Sequence, residues 1–432
     1  MSTVETAETT IAEPTIYDRR ESEVRSYCRN FPVSFARAEG ATLTDADGNT
    51  YIDFLAGCSS LNYGHNDPDM KAALIAHLEQ NGLAHALDLH TEEKAAFLTA
   101  FEHHILHPRG MEHRVMMTGP TGTNAVEAAL KLARKVTGRR NVIAFTNGFH
   151  GMTLGALALT GNSGKRGGAG VPLPDVTHMP FENSMGDLDT LEHLDAMLSN
   201  PSSGIDAPAA FIVELVQGEG GLNAASCEWA QGLERLAKKH GALFIVDDIQ
   251  AGIGRTGSFF SFDHMGIDPD MVTLAKSLSG FGLPFACTLI RPEHDIWKPA
   301  EHNGTFRGNT HAFVTARIAL EKFWADDDLR NEVALKSQVL EERLSQIGNR
   351  VGGATLKGRG MMRGIDLGDG ALAGRICAEC FRRGLIIETS GAHDEVVKVL
   401  APLTIPMEQF RKGLDILDAA VEACVPFAMA AE

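Results

Sequence analysis

Ala242-Leu-Phe-Ile-Val-Asp-Asp-Ile-Gln-Ala-Gly-Ile-Gly-Arg-Thr-Gly257 is the stretch that most clearly indicates how this chain folds. Its first residues, Ala242 to Val246, are apolar and include β-branched and aromatic types. The run is too short for a helix and predicts a buried strand. Two acids follow at once, of which Asp247 is the first. Because open α/β sheets bind their ligands at the carboxyl ends of their strands, Asp247 is a candidate binding residue.

A second short apolar run, Met271 to Ala275, ends on Lys276. Two strand ends would then present an acid and an amine. Enzymes that use pyridoxal phosphate (PLP) need this pair, because a lysine forms a Schiff base with the cofactor and an aspartate faces its pyridine nitrogen. An aspartate in a turn and a lysine in solvent would explain the two residues equally well, so the rest of the chain has to decide.

The composition of the 432 residues is typical of an ordinary globular protein, with 44% hydrophobic and 22% charged residues. This length favours two or three domains over a single core. The formal net charge of −17 repels phosphate backbones and anionic lipid surfaces. We therefore expect neither a nucleic acid nor a membrane among the partners.

Residues 1–15 are acidic and rich in threonine, and they lack the cationic start and apolar core of a secretion signal. No apolar run approaches the roughly 20 residues that span a bilayer. Seven cysteines, an odd number, favour a reducing compartment. We therefore expect a cytoplasmic protein.

Cys377 and Cys380 have redox or metal spacing, but without a second cysteine pair nearby we expect a structural role and no metal.

Much of the chain alternates short apolar runs with helix-like segments, which predicts a mostly parallel sheet. One strand, beginning at Arg114, leads into the glycine turn Thr121-Gly-Thr123. A helix from Ala125 to Lys135 follows, with Asn124 as its expected N-cap. The start of such a helix binds anions through its backbone N–H groups and its dipole. For this segment alone, a plain strand-to-helix turn is the alternative.

The chain is expected to divide into four parts. The N-terminal part should contain a short helix from Glu21 to Asn30 and a hairpin from Ala41 to Phe54. The predicted parts are a flexible tail (1–15), an N-terminal segment that packs with the small domain (16–65), a large cofactor-binding domain (66–315) and a small C-terminal domain (316–432).

Taken in order, these features resemble the class III PLP-dependent aminotransferases of fold type I. The motifs that carry the resemblance are Asp47-Gly48 with Tyr51-Ile-Asp-Phe54, Gly64-His65, Thr121-Gly-Thr123, Phe149-His-Gly151, Glu214 with Gly218-Glu-Gly-Gly221, Asp247-Asp-Ile-Gln250, Gly254-Arg-Thr-Gly257, Lys276, and Thr305-Phe with Gly308-Asn309. The resemblance runs from about Ala41 to Leu403. It implies an α/β fold with a large domain, in which helices sandwich a mostly parallel seven-stranded sheet, and a smaller α/β C-terminal domain.

The resemblance also implies roles for individual residues. Lys276 would be the Schiff-base lysine, and Asp247 would pair with the pyridine nitrogen so that the ring stays protonated and withdraws electrons. Gln250 would donate a hydrogen bond to the 3-hydroxyl group of the cofactor. Ile249 and Phe149 would pack on the two faces of its ring.

The remaining cofactor contacts follow from the same resemblance. Gly122 and Thr123 would hold the phosphate, and Thr305 of the partner subunit would complete that site. A homodimer would then be the minimal active unit, with a tetramer or hexamer left open. His150 and Glu214 would also contact the cofactor.

Two further residues are predicted to bind the substrate. Glu219 matches the family's acid that pairs with the cation for the substrate carboxylate. Lys398 stands where many relatives have that cation as an arginine, and lysine cannot make the bidentate contact of a guanidinium group. The chain departs from the family elsewhere too, since Asp248 stands for the usual glutamate and Phe149 for the usual tyrosine.

These departures, with the segments Tyr17–Tyr27 and Phe31-Pro32, are similar to one branch of the family. Its members transfer the amino group of L-glutamate to L-aspartate 4-semialdehyde in ectoine biosynthesis, giving L-2,4-diaminobutyrate and 2-oxoglutarate. Another ω-aminotransferase, acting on 4-aminobutyrate, ornithine or acetylornithine, and a PLP-dependent aminomutase are the alternatives. A dinucleotide-dependent dehydrogenase is disfavoured because no G-x-G-x-x-G run is followed by an acid about 20 residues after its last glycine. The presence of Lys276 disfavours a non-catalytic PLP-binding protein.

Overall fold

The computed structural model describes residues 15–425 of the chain. The predicted flexible tail therefore lies outside the described residues, except for its last position. Within the described part, no helix combines the length and the apolar character that crossing a bilayer requires.

The N-terminal segment forms short helices and a hairpin. Its elements are α1 (Ile16–Arg20), α2 (Tyr27–Asn30), β1 (Phe35–Glu39), β2 (Thr42–Asp45), β3 (Thr50–Asp53) and α3 (Ala56–Ser59). The predicted hairpin is confirmed as the antiparallel pair β2–β3. Asp45 stabilises its turn, because Oδ1 accepts hydrogen bonds from the backbone N–H groups of Asp47 and Asn49 at 3.0 and 2.8 Å.

The predicted helix from Glu21 to Asn30 is wrong, since only its last four residues are helical. The hydroxyl group of Ser22 accepts a hydrogen bond from the backbone N–H of Val24. A local bond of this kind competes with helix formation.

The central part of the chain builds the main sheet and the helices around it. Its elements are α4 (Pro68–Glu79), α5 (Glu92–Phe101), β4 (Arg114–Met117), α6 (Gly122–Thr137), β5 (Val142–Phe145), α7 (Leu154–Leu159), α8 (Ser163–Gly167), β6 (Val176–Met179), α9 (Thr190–Ser199), β7 (Ala210–Val213), α10 (Cys227–Lys239), β8 (Leu243–Asp247), β9 (Met271–Leu274), β10 (Cys287–Ile290) and α11 (Thr310–Phe323).

The seven strands lie in the order β4-β10-β9-β8-β7-β5-β6. β10 runs antiparallel to both of its neighbours, and the other pairs are parallel, which confirms the predicted mostly parallel sheet. Every residue of β8 is buried. Phe244 and Val246 join the core on one face of the sheet, and Leu243 and Ile245 join the core on the other. Successive side chains of a strand point to opposite faces, so an apolar run with no polar face requires helices on both sides.

The C-terminal part forms a smaller sheet with helices. Its elements are α12 (Asp328–Val351), β11 (Thr355–Arg359), β12 (Met362–Asp366), α13 (Gly370–Arg382), β13 (Leu385–Ile386), β14 (Glu388–Ser390), β15 (Val396–Val399) and α14 (Met407–Cys424). The antiparallel sheet has the order β11-β12-β15-β14. β13 lies outside this sheet and pairs in parallel with β3, so the C-terminal part adds a strand to the N-terminal sheet. The positions of the domain boundaries stay predictions.

The core position of Phe244 gives a first testable prediction. Phe244→Ala removes a fully buried ring from β8 and should lower the free energy of unfolding by about 3–5 kcal/mol, because the cavity that it leaves cannot collapse completely. Urea denaturation followed by circular dichroism measures the change. Leu335→Ala is the matched control, because Leu335 is exposed on α12 and its loss should change the free energy by no more than about 0.5 kcal/mol. Equal midpoints for the two variants would contradict the prediction.

Candidate active site

A cavity of 380 Å³ lies at the carboxyl ends of the parallel strands. Ten of the residues predicted from the sequence line it: Gly122, Thr123, Phe149, His150, Glu214, Glu219, Asp247, Ile249, Gln250 and Lys276. A larger cavity of 640 Å³ lies beside Arg109 and Asp263 and contains none of them. The smaller cavity is therefore the candidate active site, because ligands of open α/β sheets bind at this edge.

Asp247, the last residue of β8, lies at the floor of the cavity and is almost fully buried. Its Oδ2 atom is 2.7 Å from Nδ1 of His150, and its Oδ1 atom accepts a hydrogen bond from the hydroxyl group of Thr273 at 3.0 Å. Burial alone would lower the pKa of His150, but the hydrogen bond and charge of Asp247 outweigh it and raise that pKa. The hydrogen bond between the two buried groups therefore fixes both side chains in position.

Lys276 follows β9 and begins a short 3₁₀ turn, Lys276–Ser279. Its Nζ atom donates a hydrogen bond to the backbone carbonyl of Cys58 at 2.9 Å. Burial lowers the pKa of Lys276, which favours the neutral amine that a nucleophile needs.

The carbonyl group of Cys58 is a contact that sequence reasoning missed. It lies in the segment Ala56–Ser59, whose four residues all have φ between 45° and 67°. This left-handed conformation is strained for residues other than glycine, and such strain concentrates at functional sites. A run of small residues, Ala-Gly-Cys-Ser-Ser, is the only local signal in the sequence.

The glycine turn lies at the N-terminus of α6, as an anion site requires. The predicted cap was wrong, because Thr121 and not Asn124 is the N-cap and Gly122 is the first helical residue. Asn124 instead accepts a hydrogen bond from the hydroxyl group of Thr121 at 2.8 Å. A β-carbon on Gly122 would lie 2.9 Å from Cδ1 of Ile249. Only glycine therefore leaves room at the start of the helix, where backbone N–H groups without helical partners attract an anion such as a phosphate group.

The walls of the cavity suit a flat ligand with polar edges. Ile249 and Phe149 both line it. Gln250 is nearly buried, and its Nε2 atom lies 3.3 Å from both the carbonyl oxygen of Cys58 and Oε1 of Glu219. The Oε1 atom of Gln250 is buried without a hydrogen-bond partner among the described residues. A buried polar atom without a partner is costly, and a polar ligand in the cavity would satisfy it. The residues present thus fit a ring with a phosphate group at one end.

Glu214 holds two turns at the edge of the cavity. Its carboxylate accepts hydrogen bonds from the backbone N–H groups of Phe149 at 2.8 Å and Gly218 at 3.3 Å. Burial raises the pKa of this carboxyl group to about 7, although His150 acts in the opposite direction. Glu214 therefore positions the segment that carries Phe149.

Lys398 does not line the cavity, contrary to the simplest expectation for a substrate-binding cation. It is fully buried on β15, and its Nζ atom lies 3.0 Å from Oε1 of Glu219 and 2.9 Å from Oε1 of Glu388. Burial alone would lower the pKa of Lys398, but the two carboxylates outweigh it and raise that pKa. Glu219 both lines the cavity and contacts this ammonium group. Its own pKa is lowered to about 2, because Lys398 and Lys276 outweigh the effect of burial.

Glu388 is a second residue that sequence reasoning missed. Its signal in the sequence is an acid directly after the apolar residues Leu385–Ile387. It lies on β14, which pairs with the strand that carries Lys398.

Thr305 is not among the residues around the cavity of its own chain. It is exposed on a 3₁₀ turn, Thr305–Gly308. The contribution of Thr305 from a second subunit stays a prediction.

Asp248, the second acid of the β8 motif, is fully buried. Its Oδ2 atom accepts a hydrogen bond from the backbone N–H of Ser261 at 3.0 Å. Burial raises the pKa of this carboxyl group to about 7. Asp248 is absent from the cavity lining, so its contact is structural.

A half-buried lysine and a buried aspartate at adjacent strand ends, next to a helix start that suits an anion, are typical of a fold type I aminotransferase site. The sequence matches the family "Aminotransferase class-III" over residues 24–421. The chain belongs to the class III aminotransferases. PLP is the cofactor of this family, and the lining of the cavity fits it.

Particular relatives are also similar over nearly their whole length. The diaminobutyrate–2-oxoglutarate transaminase of Vibrio parahaemolyticus is 54% identical over 409 residues, which cover 94% of this chain and 97% of that protein. The enzyme of the same name from Halalkalibacterium halodurans is 52% identical over 413 residues, covering 95% of this chain and 96% of that protein. Among solved structures, the ornithine aminotransferase of Toxoplasma gondii superposes with a TM-score of 0.80 at 25% identity, covering 94% of this chain and 93% of that one.

The buried carboxyl group of Asp248 predicts a pH-dependent stability. Its pKa is about 7 in the folded chain against 3.8 ordinarily, so its contribution to stability is complete below about pH 4 and is lost as the pH rises through 7. Asp248→Asn removes this titration and keeps an oxygen acceptor for the N–H of Ser261. The stability of the variant relative to the wild type should rise from pH 5 to pH 8 by on the order of 3 kcal/mol.

Urea denaturation at both pH values measures this difference. Asp187→Asn is the matched control, because Asp187 is exposed. Parallel pH profiles for the wild type and Asp248→Asn would show that burial does not raise this pKa.

Proposed function

We propose that the chain is a diaminobutyrate–2-oxoglutarate transaminase, which moves the amino group of L-glutamate to L-aspartate 4-semialdehyde. The products would be L-2,4-diaminobutyrate and 2-oxoglutarate, as in ectoine biosynthesis. The observation that carries the proposal is the 54% identity over 409 residues to a relative of that name. The lysine, aspartate and phosphate-binding turn around one cavity support the class of reaction.

The cavity residues have distinct parts in holding PLP under this proposal. Gly122 and Thr123 would bind the phosphate at the start of α6, and Ile249 and Phe149 would pack against the ring. When bound, PLP supplies an aldehyde that joins the amine of the substrate and a protonated ring that withdraws electrons from the reacting carbon.

Asp247 and His150 act together on the ring nitrogen. A buried carboxyl group that is hydrogen-bonded to a buried imidazole is held in one direction. Asp247 would therefore hold a proton on the pyridine nitrogen, and His150 would position Asp247. Gln250 would hydrogen-bond to the 3-hydroxyl group.

Lys276 would carry out the proton transfer. Burial lowers its pKa, which favours the neutral amine that both attachment to the cofactor and release from it would need. With a substrate amine in its place, Nζ of Lys276 would be free to take a proton from the substrate carbon that bears the amine and to deliver it to the carbon on the other side of the amine nitrogen. The carbonyl oxygen of Cys58, 2.9 Å from Nζ, accepts a hydrogen bond from the free amine and orients it.

Assembly and location belong to the same proposal. A homodimer would be the minimal active unit, because Thr305 of the partner subunit would complete the phosphate site, and a tetramer or hexamer would satisfy the same requirement. All seven cysteines are free, which supports a reducing, cytoplasmic location.

The role of Lys276 is tested by Lys276→Ala. Loss of the amine should lower turnover by on the order of 10³-fold or more, because both the attachment of the cofactor and the proton transfer depend on it. A second readout is independent of activity: borohydride reduction followed by mass spectrometry should attach PLP to Lys276 in the wild type and to no residue in the variant. Lys71→Ala is the matched control, since Lys71 is exposed on α4. Labelling of another lysine in the wild type would refute the assignment.

The substrates are tested by separate half-reactions. The wild-type protein with L-glutamate alone should release one 2-oxoglutarate per site, because the amino group stays on the enzyme. Addition of L-aspartate 4-semialdehyde should then yield one L-2,4-diaminobutyrate per site. Release of 2-oxoglutarate followed by transfer only to succinic or glutamic semialdehyde would discard this acceptor and keep the transaminase. No 2-oxoglutarate at all would overturn the proposal.

A further inference from the structure

Next to the cavity, acidic side chains outnumber the one lysine that they contact. Glu388 and Lys398 lie directly opposite each other on the antiparallel strands β14 and β15, so their side chains share one face of the sheet. Glu388 is more than nine-tenths buried and Lys398 is fully buried. Because Glu219 also lies 3.0 Å from the ammonium group, two carboxylates contact one lysine.

Glu219 is the member of this cluster that reaches the cavity. Both of its side-chain contacts, with Nζ of Lys398 and Nε2 of Gln250, are made by Oε1. Among residues 15–425, no side chain donates a hydrogen bond to Oε2. The lining of the cavity therefore offers a carboxylate oxygen that is open to a ligand.

Glu388 determines which charged group Oε2 of Glu219 attracts. An ion pair of Glu219 and Lys398 alone would carry no net charge. A substrate carboxylate could then displace Glu219 and bind Lys398. With Glu388 held against Lys398 at 2.9 Å, the cluster keeps a net charge of about −1, which repels an incoming carboxylate and attracts an ammonium group.

We infer that Glu388 is a specificity-determining residue, which neutralises Lys398 and so leaves Glu219 to bind the α-ammonium group of a 2,4-diamino acid or of its amino-aldehyde partner. The inference rests on the proposed function and names the part of the substrate that this wall of the site recognises. Glu388 acts through Lys398 and Glu219 and is a positioning residue. L-Glutamate, which presents its ammonium group to the cofactor, has no second one to place here.

Two amines make a matched pair of probes. L-2,4-Diaminobutyrate and 4-aminobutyrate share the reacting amine and the carboxylate and differ only in the α-ammonium group. The wild type should prefer diaminobutyrate in kcat/KM by at least tenfold. Glu388→Gln should reduce this preference at least tenfold, mainly through KM for diaminobutyrate, and should not lower kcat/KM for L-glutamate, because the end of glutamate away from its reacting amine carries a carboxylate and no ammonium group.

Two variants on the same strand serve as controls. Glu388→Asp keeps the charge and should retain most of the preference. Thr389→Val alters the neighbouring residue, which points to the opposite face, and should leave it unchanged. A preference that survives in Glu388→Gln, or an equal loss for all three amines, would overturn the inference and leave Glu388 a structural partner of Lys398.

A measurement on the wild type keeps the test decisive if Glu388→Gln does not fold. L-4-Amino-2-hydroxybutyrate replaces the α-ammonium group with a hydroxyl group of similar size. It should react at least tenfold less efficiently than diaminobutyrate, and equal efficiencies would overturn the inference alone. A wild type that reacts with glutamate but with no diaminobutyrate would instead overturn the proposed acceptor, and the inference with it.

Discussion

The parallel pairing of β8 with β9 is the constraint on which the site depends. The two strands are aligned so that Asp247 lies opposite Thr273, and Lys276 begins the turn immediately beyond β9. An acid and an amine that are separated along the chain therefore emerge at one edge of the sheet. Both strands are buried on both faces, so a shift in register would expose apolar side chains and is strongly disfavoured. The residues at the ends of these two strands therefore line the same cavity.

Pairing of buried charges then determines which atoms face a ligand. A charge that leaves water needs a partner, and each strong charge near the cavity has one: Asp247 has His150, and Lys398 has Glu219 and Glu388. Asp248 has no cationic partner in contact among residues 15–425, and its pKa is about 7. The need of a buried charge for a partner thus distinguishes paired groups, which can remain ionised, from unpaired groups such as Asp248, whose neutral form folding favours. It also leaves Oε2 of Glu219 as the acceptor that is open to the cavity.

The sequence predicted the sheet and hairpins better than the helix starts. The strands around Asp247 and Lys276 were recognisable because an apolar run of that length has few other solutions. The cap of α6 was misplaced by three residues, from Thr121 to Asn124, because both residue types cap helices and local preference does not choose between them. The helix expected from Glu21 failed where the hydroxyl group of Ser22 competes for a backbone N–H.

By itself the sequence determined the sheet, the glycine turn and the positions of a lysine and an aspartate at strand ends, because periodicity, residue size and strand-end position are local properties. Only the tertiary structure decided that the carbonyl group of Cys58 meets Lys276, 218 residues away in the chain, and that Glu388 lies against Lys398. These contacts depend on how the N-terminal segment and the small sheet pack against the main sheet. No local pattern encodes that packing, because its energy comes from surfaces that meet only when the chain is folded.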